Sequence, residues 1–461
     1  MSLKQWNRDP RRKPLMVWGA RQVGKTYLIE ELFAKSFYKG KYLRIDCSAD
    51  SSFVKAVYQN HNLQDVLDYI EIHYGFKADQ NHLLFFDEVQ ECLPLISMMK
   101  TFCEQRREIP VIESGSLVRI KIFRENHQHK AGIPNQFLFP VGKINQLNVY
   151  PLTFDEFLYN YNLAAYNHIK DCYEKKIPLS SAIHEDAINI FENYLFVGGM
   201  PEVVDIFLEE RNKDRIKAFK KILPTIADIY DNYLADMDLY QASPESIVRS
   251  QKMYKDIYRQ LNKETKNYKF SLTEKDARAR DFANSLSWLT LAKIILPSQQ
   301  LKERIVPPLM EEDNSLMRIY LSDMGLFTYQ SGLEAMSFLK DRDNALSGIY
   351  FENYVATELV ANGFPLFYWR GKRNNEFEFV IESAGHIIPI DVKKGRDKLN
   401  SLKEFRVHNK TDIAIKISRN QYGYNPQLKL LTLPFYYVPF FFKEVKSGEF
   451  EWNKLIGEDT K

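Results

Sequence analysis

The sequence predicts an α/β fold in three parts: a parallel sheet covered by helices, a mostly helical middle, and a mixed α/β unit at the end. Three observations predict it. Apolar strand-like runs alternate with helix-like runs over the first third, helical spacing dominates the middle, and strand patterns return near the end. With 461 residues and roughly 150 residues per ordinary domain, about three domains are expected. The boundaries are placed at 1–165, 166–335 and 336–461.

The elements follow in order. Leu15 to Trp18 reads as a strand, and Leu28, Ile29, Leu32 and Phe33 have helical spacing. Tyr42 to Ile45 and Leu83 to Phe86 are the next strands, the latter followed by a helix bearing Leu95, Ile96, Met99 and Phe102. Val111-Ile112 is a fourth strand, and Phe154 to Tyr159 is an amphipathic helix after Pro151. Gly198-Gly199 before Pro201 interrupts the helical middle. Asp276 to Ile295 carries Ala279, Phe282, Ala283, Leu286, Leu289 and Ala292 at helical spacing. Glu376 to Ile381 alternates as a strand, with a second from Ile387 through Asp391-Val392-Lys393 after a turn at Gly385. Leu431 to Phe442 is too short to span a bilayer and reads as a buried strand segment.

Composition narrows the function classes. The 63 basic and 60 acidic residues leave a net charge of +3. That excludes a uniformly basic nucleic-acid coat and a polyacidic tail, so any nucleic-acid contact must come from a local patch. Aromatic residues make up 14%, which supports large cores and argues against extended disorder. Cys47, Cys92, Cys103 and Cys172 lie far apart in sequence, without a C-x-x-C pair for zinc or a disulfide framework. A reducing cytoplasm fits, and Met1 to Arg12 is polar and basic rather than a secretory signal. No membrane association is expected.

Gly19-Ala20-Arg21-Gln22-Val23-Gly24-Lys25-Thr26 matches the P-loop pattern in full, directly after a strand and opening a helix. Glycines let backbone N–H groups turn inward around phosphate oxygens, and the helix N-terminus adds partial positive charge. Lys25 would reach the β- and γ-phosphates, and Thr26 would ligate Mg²⁺. The strand Leu83 to Phe86 runs into Asp87-Glu88, delivering two carboxylates to the sheet edge where the P-loop lies. Asp87 would hold the magnesium through its water shell, and Glu88 would orient and polarise the attacking water. Ser114 and Ser116, in Glu113-Ser114-Gly115-Ser116, are placed to touch the γ-phosphate or the water and report hydrolysis.

These stretches resemble a large prokaryotic group of AAA-superfamily ATPases with an uncharacterised C-terminal domain. The resemblance extends through Val141-Gly142-Lys143, Tyr150-Pro151-Leu152 and Phe154 to Leu158. It continues through Tyr194-Leu195, Gly198 to Val204, and Arg318 to Leu326. It implies ATP and Mg²⁺ as ligand and cofactor, slow hydrolysis, and a winged-helix-like unit in the middle region. An oligomer with an arginine finger is compatible with it, and Arg119 and Arg124 are candidates for that finger. Proteins of this group carry a couple of dozen residues before the first strand. Lys25 comes early here, so a more open nucleotide pocket or an upstream start is expected.

In such a winged-helix unit, Arg278 and Arg280 begin the second helix and could meet a DNA backbone; a protein-packing helix is the alternative. Glu352, on a helix face with Val355, Ala356 and Leu359, joins Glu378 and Asp391-x-Lys393 in a set that resembles the PD-(D/E)-x-K core of restriction-endonuclease-like domains. Carboxylates there gather Mg²⁺ at a scissile phosphate, and a lysine steadies the attacking water. Here Glu378 stands where Asp is commoner and Asp391 where Glu is commoner. His127 and His129 read as a solvated loop. Three functions are expected from the whole: an ATP-hydrolysing protein coupled to a DNA or protein partner, an ATP-gated Mg-dependent DNA nuclease, or a non-hydrolysing nucleotide switch or scaffold.

Overall fold

The computed structural model describes residues 2–452 apart from 61, 117–138, 242, 312–315, 342–344, 372–374 and 394–399. It divides into two units. The first holds Met1–Tyr150, Asp236–Ile247 and Leu291–Lys293; the second holds Pro151–Ala235, Val248–Thr290 and Ile294–Lys461.

In the first unit, β1 (Leu15–Trp18), β2 (Tyr42–Asp46), β3 (Leu83–Asp87), β4 (Val111–Gly115) and β5 (Asn145–Asn148) form one sheet in the order β2-β3-β4-β1-β5. Every pairing is parallel. The near-continuous apolar runs of β1 and β3 are explained by burial on both faces. Met16, Leu84 and Phe86 enter one core, and Leu15, Val17, Leu83 and Phe85 the other. The four expected strands form. β5, polar at every position but Leu147, has no comparable apolar signal and adds a fifth.

The second unit is helical from Phe154 to Leu261, including Ser181–Val197 and Arg215–Tyr240, whose last residues lie in the first unit. Its strands make two mixed sheets. One takes β6 (Ile295–Leu301), β7 (Met317–Leu321), β8 (Phe367–Arg370) and β9 (Glu376–Phe377) in the order β7-β6-β8-β9. The other takes β10 (Phe379–Ser383), β11 (His386–Val392), β12 (Ala414–Ser418), β13 (Gly423–Asn425) and β14 (Leu430–Pro434) in the order β10-β11-β12-β14-β13. The fold is thus α/β, with a parallel P-loop-type sheet, a mostly helical middle and a mixed C-terminal sheet.

Three local expectations are corrected. The helix expected to Ile295 ends at Leu291, and Ile295 begins β6. A turn then carries Lys293 at positive φ, which closes the helix before the β-branched pair Ile294-Ile295. Leu431 to Phe442 is strand only through Pro434. Phe435–Tyr437 is a 3-10 turn, and Val438–Ser447 is a helix with Pro439 in its first turn, where its missing N–H costs nothing. Finally, the alternating run from Glu376 breaks at Glu378. Glu376-Phe377 pairs with β8, whereas Phe379 onward pairs with β11.

Candidate functional site

The turn after β1 is shaped by its glycines. A Cβ on Gly19 would come within 2.6 Å of the Val149 carbonyl oxygen. Gly24 has φ +84° and Gln22 φ +62°, the alternation that turns successive amides inward. The helix then opens with Lys25–Tyr27 and continues with π-type winding over Leu28–Ala34. Lys25 is buried, and its ammonium donates to the carbonyls of Gly19 (3.2 Å) and Ala20 (2.8 Å). Burial lowers its pKa to about 8, against the opposing pull of Glu88 and Asp87.

The acidic strand end meets this turn. Thr26 Oγ1 donates to Asp87 Oδ2 at 2.9 Å. The same oxygen accepts from Arg44 Nη2 at 2.8 Å and Nε at 3.2 Å. Its other oxygen accepts from the Ser114 hydroxyl and from the Glu88 amide at 3.2 Å. Glu88 has left-handed backbone, φ +51°, and its carboxylate accepts from the Gln90 side chain. That unusual conformation turns Glu88 off the strand axis at the sheet edge. Ser116 is buried, and its hydroxyl has no hydrogen-bond partner among the described residues. Lys25, Thr26, Asp87, Glu88 and Ser114 are thus gathered at one edge of the sheet.

Thr26 and Asp87 fit a magnesium ion in one manner. A hydroxyl and a carboxylate already share a hydrogen bond, so both could face one cation. Both Asp87 oxygens carry donors, however, which suits contact through the ion's water shell better than direct ligation.

Sequence reasoning missed two partners of this edge and one buried acid of the adjoining core. Arg44 was detectable only as one basic residue in the otherwise apolar run Tyr42 to Ile45. Asp236 reaches Arg21 from more than two hundred residues downstream, and nothing local marks it. Glu113, acidic after the apolar start of β4, is 1% exposed, and neither carboxylate oxygen has a hydrogen-bond partner among the described residues. Burial, then Cys92, pushes its pKa well up. Cys47 and Cys92, distant in sequence, meet in the same core, where Cys47 hydrogen-bonds Cys92. Both are free thiols.

The C-terminal carboxylates also converge. Glu378 is fully buried; its Oε2 accepts from the Val392 amide (3.0 Å) and its Oε1 from Lys393 (3.0 Å). Lys393 also lies 3.2 Å from Asp391. Lys266, unforeseen in sequence, contacts Glu352 at 2.6 Å, Glu376 at 3.1 Å and Glu378 at 3.9 Å. Arg318, buried in β7, pairs with Glu376. Burial raises Asp391 to about 7, with Glu378 adding to the rise and Lys393 opposing it. Ammonium groups therefore stand among these acids, an arrangement unlike carboxylates gathered around a metal. Among the described residues no three His, Cys, Asp or Glu side chains are grouped to hold a metal ion.

Arg278 and Arg280 are exposed. Arg278 precedes and Arg280 lies within a 3-10 turn at Ala279–Phe282, and the helix proper is Ala283–Leu291. Arg119, Arg124, His127 and His129 lie outside the described residues. No helix among the described residues is long and apolar enough to cross a membrane.

Residues 188–337 and 347–436 match two models described only as domains of unknown function, the second being DUF4143. No curated protein gives a significant match. Among solved structures, AMPPCP-bound DnaA from Aquifex aeolicus is 12% identical, with 62% of this chain and 82% of that chain covered, at a TM-score of 0.27. A structure titled as a DNA replication initiation factor is 12% identical, covering 60% and 82%, at 0.26. At those scores the likeness fixes neither fold nor activity. Residues 11–158, the part of the chain that builds the glycine turn and the acidic strand end, match the family described as AAA domain.

Proposed function

We propose that this protein binds and hydrolyses ATP and passes its nucleotide state to a partner through the C-terminal part of the chain. The observation that carries the reading is the 2.9 Å hydrogen bond between Thr26 and Asp87, made beside Lys25, whose ammonium donates to the P-loop carbonyls of Gly19 and Ala20. Lys25 holds the β- and γ-phosphates together with the amides of residues 19–26, including Ala20, Gln22 and Val23. Thr26 and Asp87 hold the Mg²⁺, which when bound supplies charge neutralisation along the phosphates. Glu88 accepts the proton of the attacking water, with Gln90 fixing the carboxylate. Ser114 ties β4 to Asp87, and the Ser116 hydroxyl, without a hydrogen-bond partner among the described residues, is the further candidate on that strand end. The expected domain limits, 1–165, 166–335 and 336–461, are supported by three family matches falling one within each part apart from two residues at 336–337. The four free cysteines support a cytoplasmic setting.

Glu88→Gln tests the mechanism. The variant should retain ATP and lose phosphate release; undiminished hydrolysis removes Glu88 from the role. Tight ATP binding by the wild type without any phosphate release would select the switch or scaffold.

A second reading, an ATP-gated nuclease, is favoured by the meeting of Glu352, Glu378, Asp391 and Lys393 in one cluster. It requires a metal to enter where Lys266 now stands. Plasmid incubated with Mg²⁺ or Mn²⁺ should then be nicked, and Asp391→Ala should abolish the nicking. DNA contact in the middle region rests on the exposed Arg278 and Arg280. It predicts binding that weakens steeply with salt and that responds to charge reversal at both.

A further inference from the structure

Arg21 occupies the third position of the glycine turn, where the chain curves around the space meant for phosphate. Its guanidinium is 2.7 Å from Asp236, a charge contact without the alignment of a hydrogen bond. The Asp236 side chain is 3% exposed, whereas that of Arg21 is 36% exposed. Asp236 comes from the last turns of the helix Arg215–Tyr240 and belongs to the first unit, as the glycine turn does. Its other charged neighbours are Lys25 and Glu88. A buried carboxylate therefore stands among the groups assigned above to phosphate and to the attacking water. Burial raises its pKa to about 6; Arg21 and Lys25 oppose the rise, and Glu88 adds to it. Its negative charge is thus incompletely compensated even with Arg21 in contact.

A bound polyphosphate would bring several more negative charges to the same cations. Desolvated like charges repel strongly at such range, so Asp236 and a γ-phosphate compete for Arg21 and Lys25. We propose that Asp236 is an anionic latch on the P-loop, holding Arg21 in the absence of nucleotide and releasing it when polyphosphate binds. This inference rests on the reading of the turn as an ATP site. The latch makes affinity depend on phosphate number, because each added phosphate gains more from its release.

Calorimetric titration of the full chain with ATP, ADP and AMP, each with Mg²⁺, tests it. Asp236→Asn keeps the shape and removes the charge. The variant should bind ATP about tenfold more tightly than the wild type, ADP with a smaller gain, and AMP unchanged. A purely structural role would instead weaken all three nucleotides together. Unchanged or weaker ATP binding by Asp236→Asn, with the wild type binding normally, overturns the latch and leaves the ATP site standing. Failure of both proteins to bind ATP overturns the ATP site and the latch with it. Should Asp236→Asn not fold, the wild type alone decides. Hydrogen exchange over residues 236–241 should speed up on adding ATP as the pair breaks, and slowed or unaltered exchange there overturns the latch.

Discussion

Two of the chain's lysine–carboxylate sites, the glycine turn and the C-terminal cluster, are wired in opposite ways. At the glycine turn, Lys25 is hydrogen-bonded to the backbone carbonyls of Gly19 and Ala20, while Asp87 and Glu88 act on it only from a distance. Carbonyl dipoles compensate an ammonium poorly, and its pKa is low in consequence. In the C-terminal cluster, Lys266 and Lys393 touch carboxylates directly. Those contacts overcome the burial that would otherwise lower both pKa values, and raise them. An under-compensated cation is ready to receive an anion from outside. A cation already paired with acids closes its site. The difference shows how similar residue types yield a ligand site in one place and an internal brace in another.

Removing charge from the brace should have the largest effect. Glu378 is fully buried and holds Lys393, Lys266 and the Val392 amide. Glu378→Gln leaves the ammoniums short of an anion. Loss of one member of a buried pair costs about 3–5 kcal/mol, which denaturant titration should register as a lower midpoint. If Glu378→Gln is as stable as the wild type, the cluster is not a brace. Lys25→Met should do the reverse. ATP affinity should fall about a hundredfold, roughly 2.7 kcal/mol, with stability kept or raised, because only carbonyl contacts are lost and the cost of a buried charge is removed. A Lys25→Met protein that binds ATP normally, or that unfolds, removes the contrast.

Both sites were partly legible in sequence, for different reasons. The glycine turn and the Asp87-Glu88 pair are local strings whose geometry follows from chain continuity: a strand, a bend, a helix. The sheet order adds Ser114 because β4 lies between β1 and β3. Asp236, Arg44 and Lys266 belong to the sites through tertiary approach alone, and no spacing announces them. Glu352, Glu378, Asp391 and Lys393 could be listed from pattern, and Glu352 could be placed inward by its helix face. What occupies the space among them could not, because Lys266 sits in a polar stretch, Asn262 to Lys269, that reads as ordinary loop. The break at Glu378 was hidden for a related reason: the run alternates from Glu376 to Phe379, straight across the point where its two halves join different sheets.

Lys266→Met sharpens the comparison by opening the brace. Glu352 has one carboxylate oxygen without a hydrogen-bond partner among the described residues, and the substitution would strip the other of its ammonium as well. With its cation gone, the cluster should gain an affinity for divalent ions that the wild type lacks. Mn²⁺ at ten times its dissociation constant would stabilise the variant by about 1.4 kcal/mol, read as a rise in melting temperature. The wild type should show no C-terminal response, measured in the Lys25→Met background so that the nucleotide site contributes nothing. A variant that ignores Mn²⁺ would leave Lys266 as a packing group and weaken the nuclease reading.

The smallest expected effect is the most specific to the contrast, because alkali should act on the two lysine sites with opposite sign. Lys25 has a folded pKa of about 8 against 10.5 for the ordinary side chain. While folded and unfolded chains are both charged, burial of Lys25 destabilises the nucleotide-free fold. That cost fades as pH rises from about 8 toward 10.5, where the folded chain releases the proton first. Lys266 and Lys393 have raised folded values, so their stabilisation is complete below the ordinary pKa and is lost as pH climbs through the folded one. Nucleotide affinity should follow Lys25 alone, since only its ammonium form attracts phosphate. Between pH 7.0 and 8.5 the protonated fraction falls about fourfold, and the ATP association constant should fall by a similar factor, roughly 0.8 kcal/mol. An association constant that stays level over that range would mean that Lys25 keeps its proton, and that the carbonyl-bound ammonium is as well compensated as the carboxylate-bound ones.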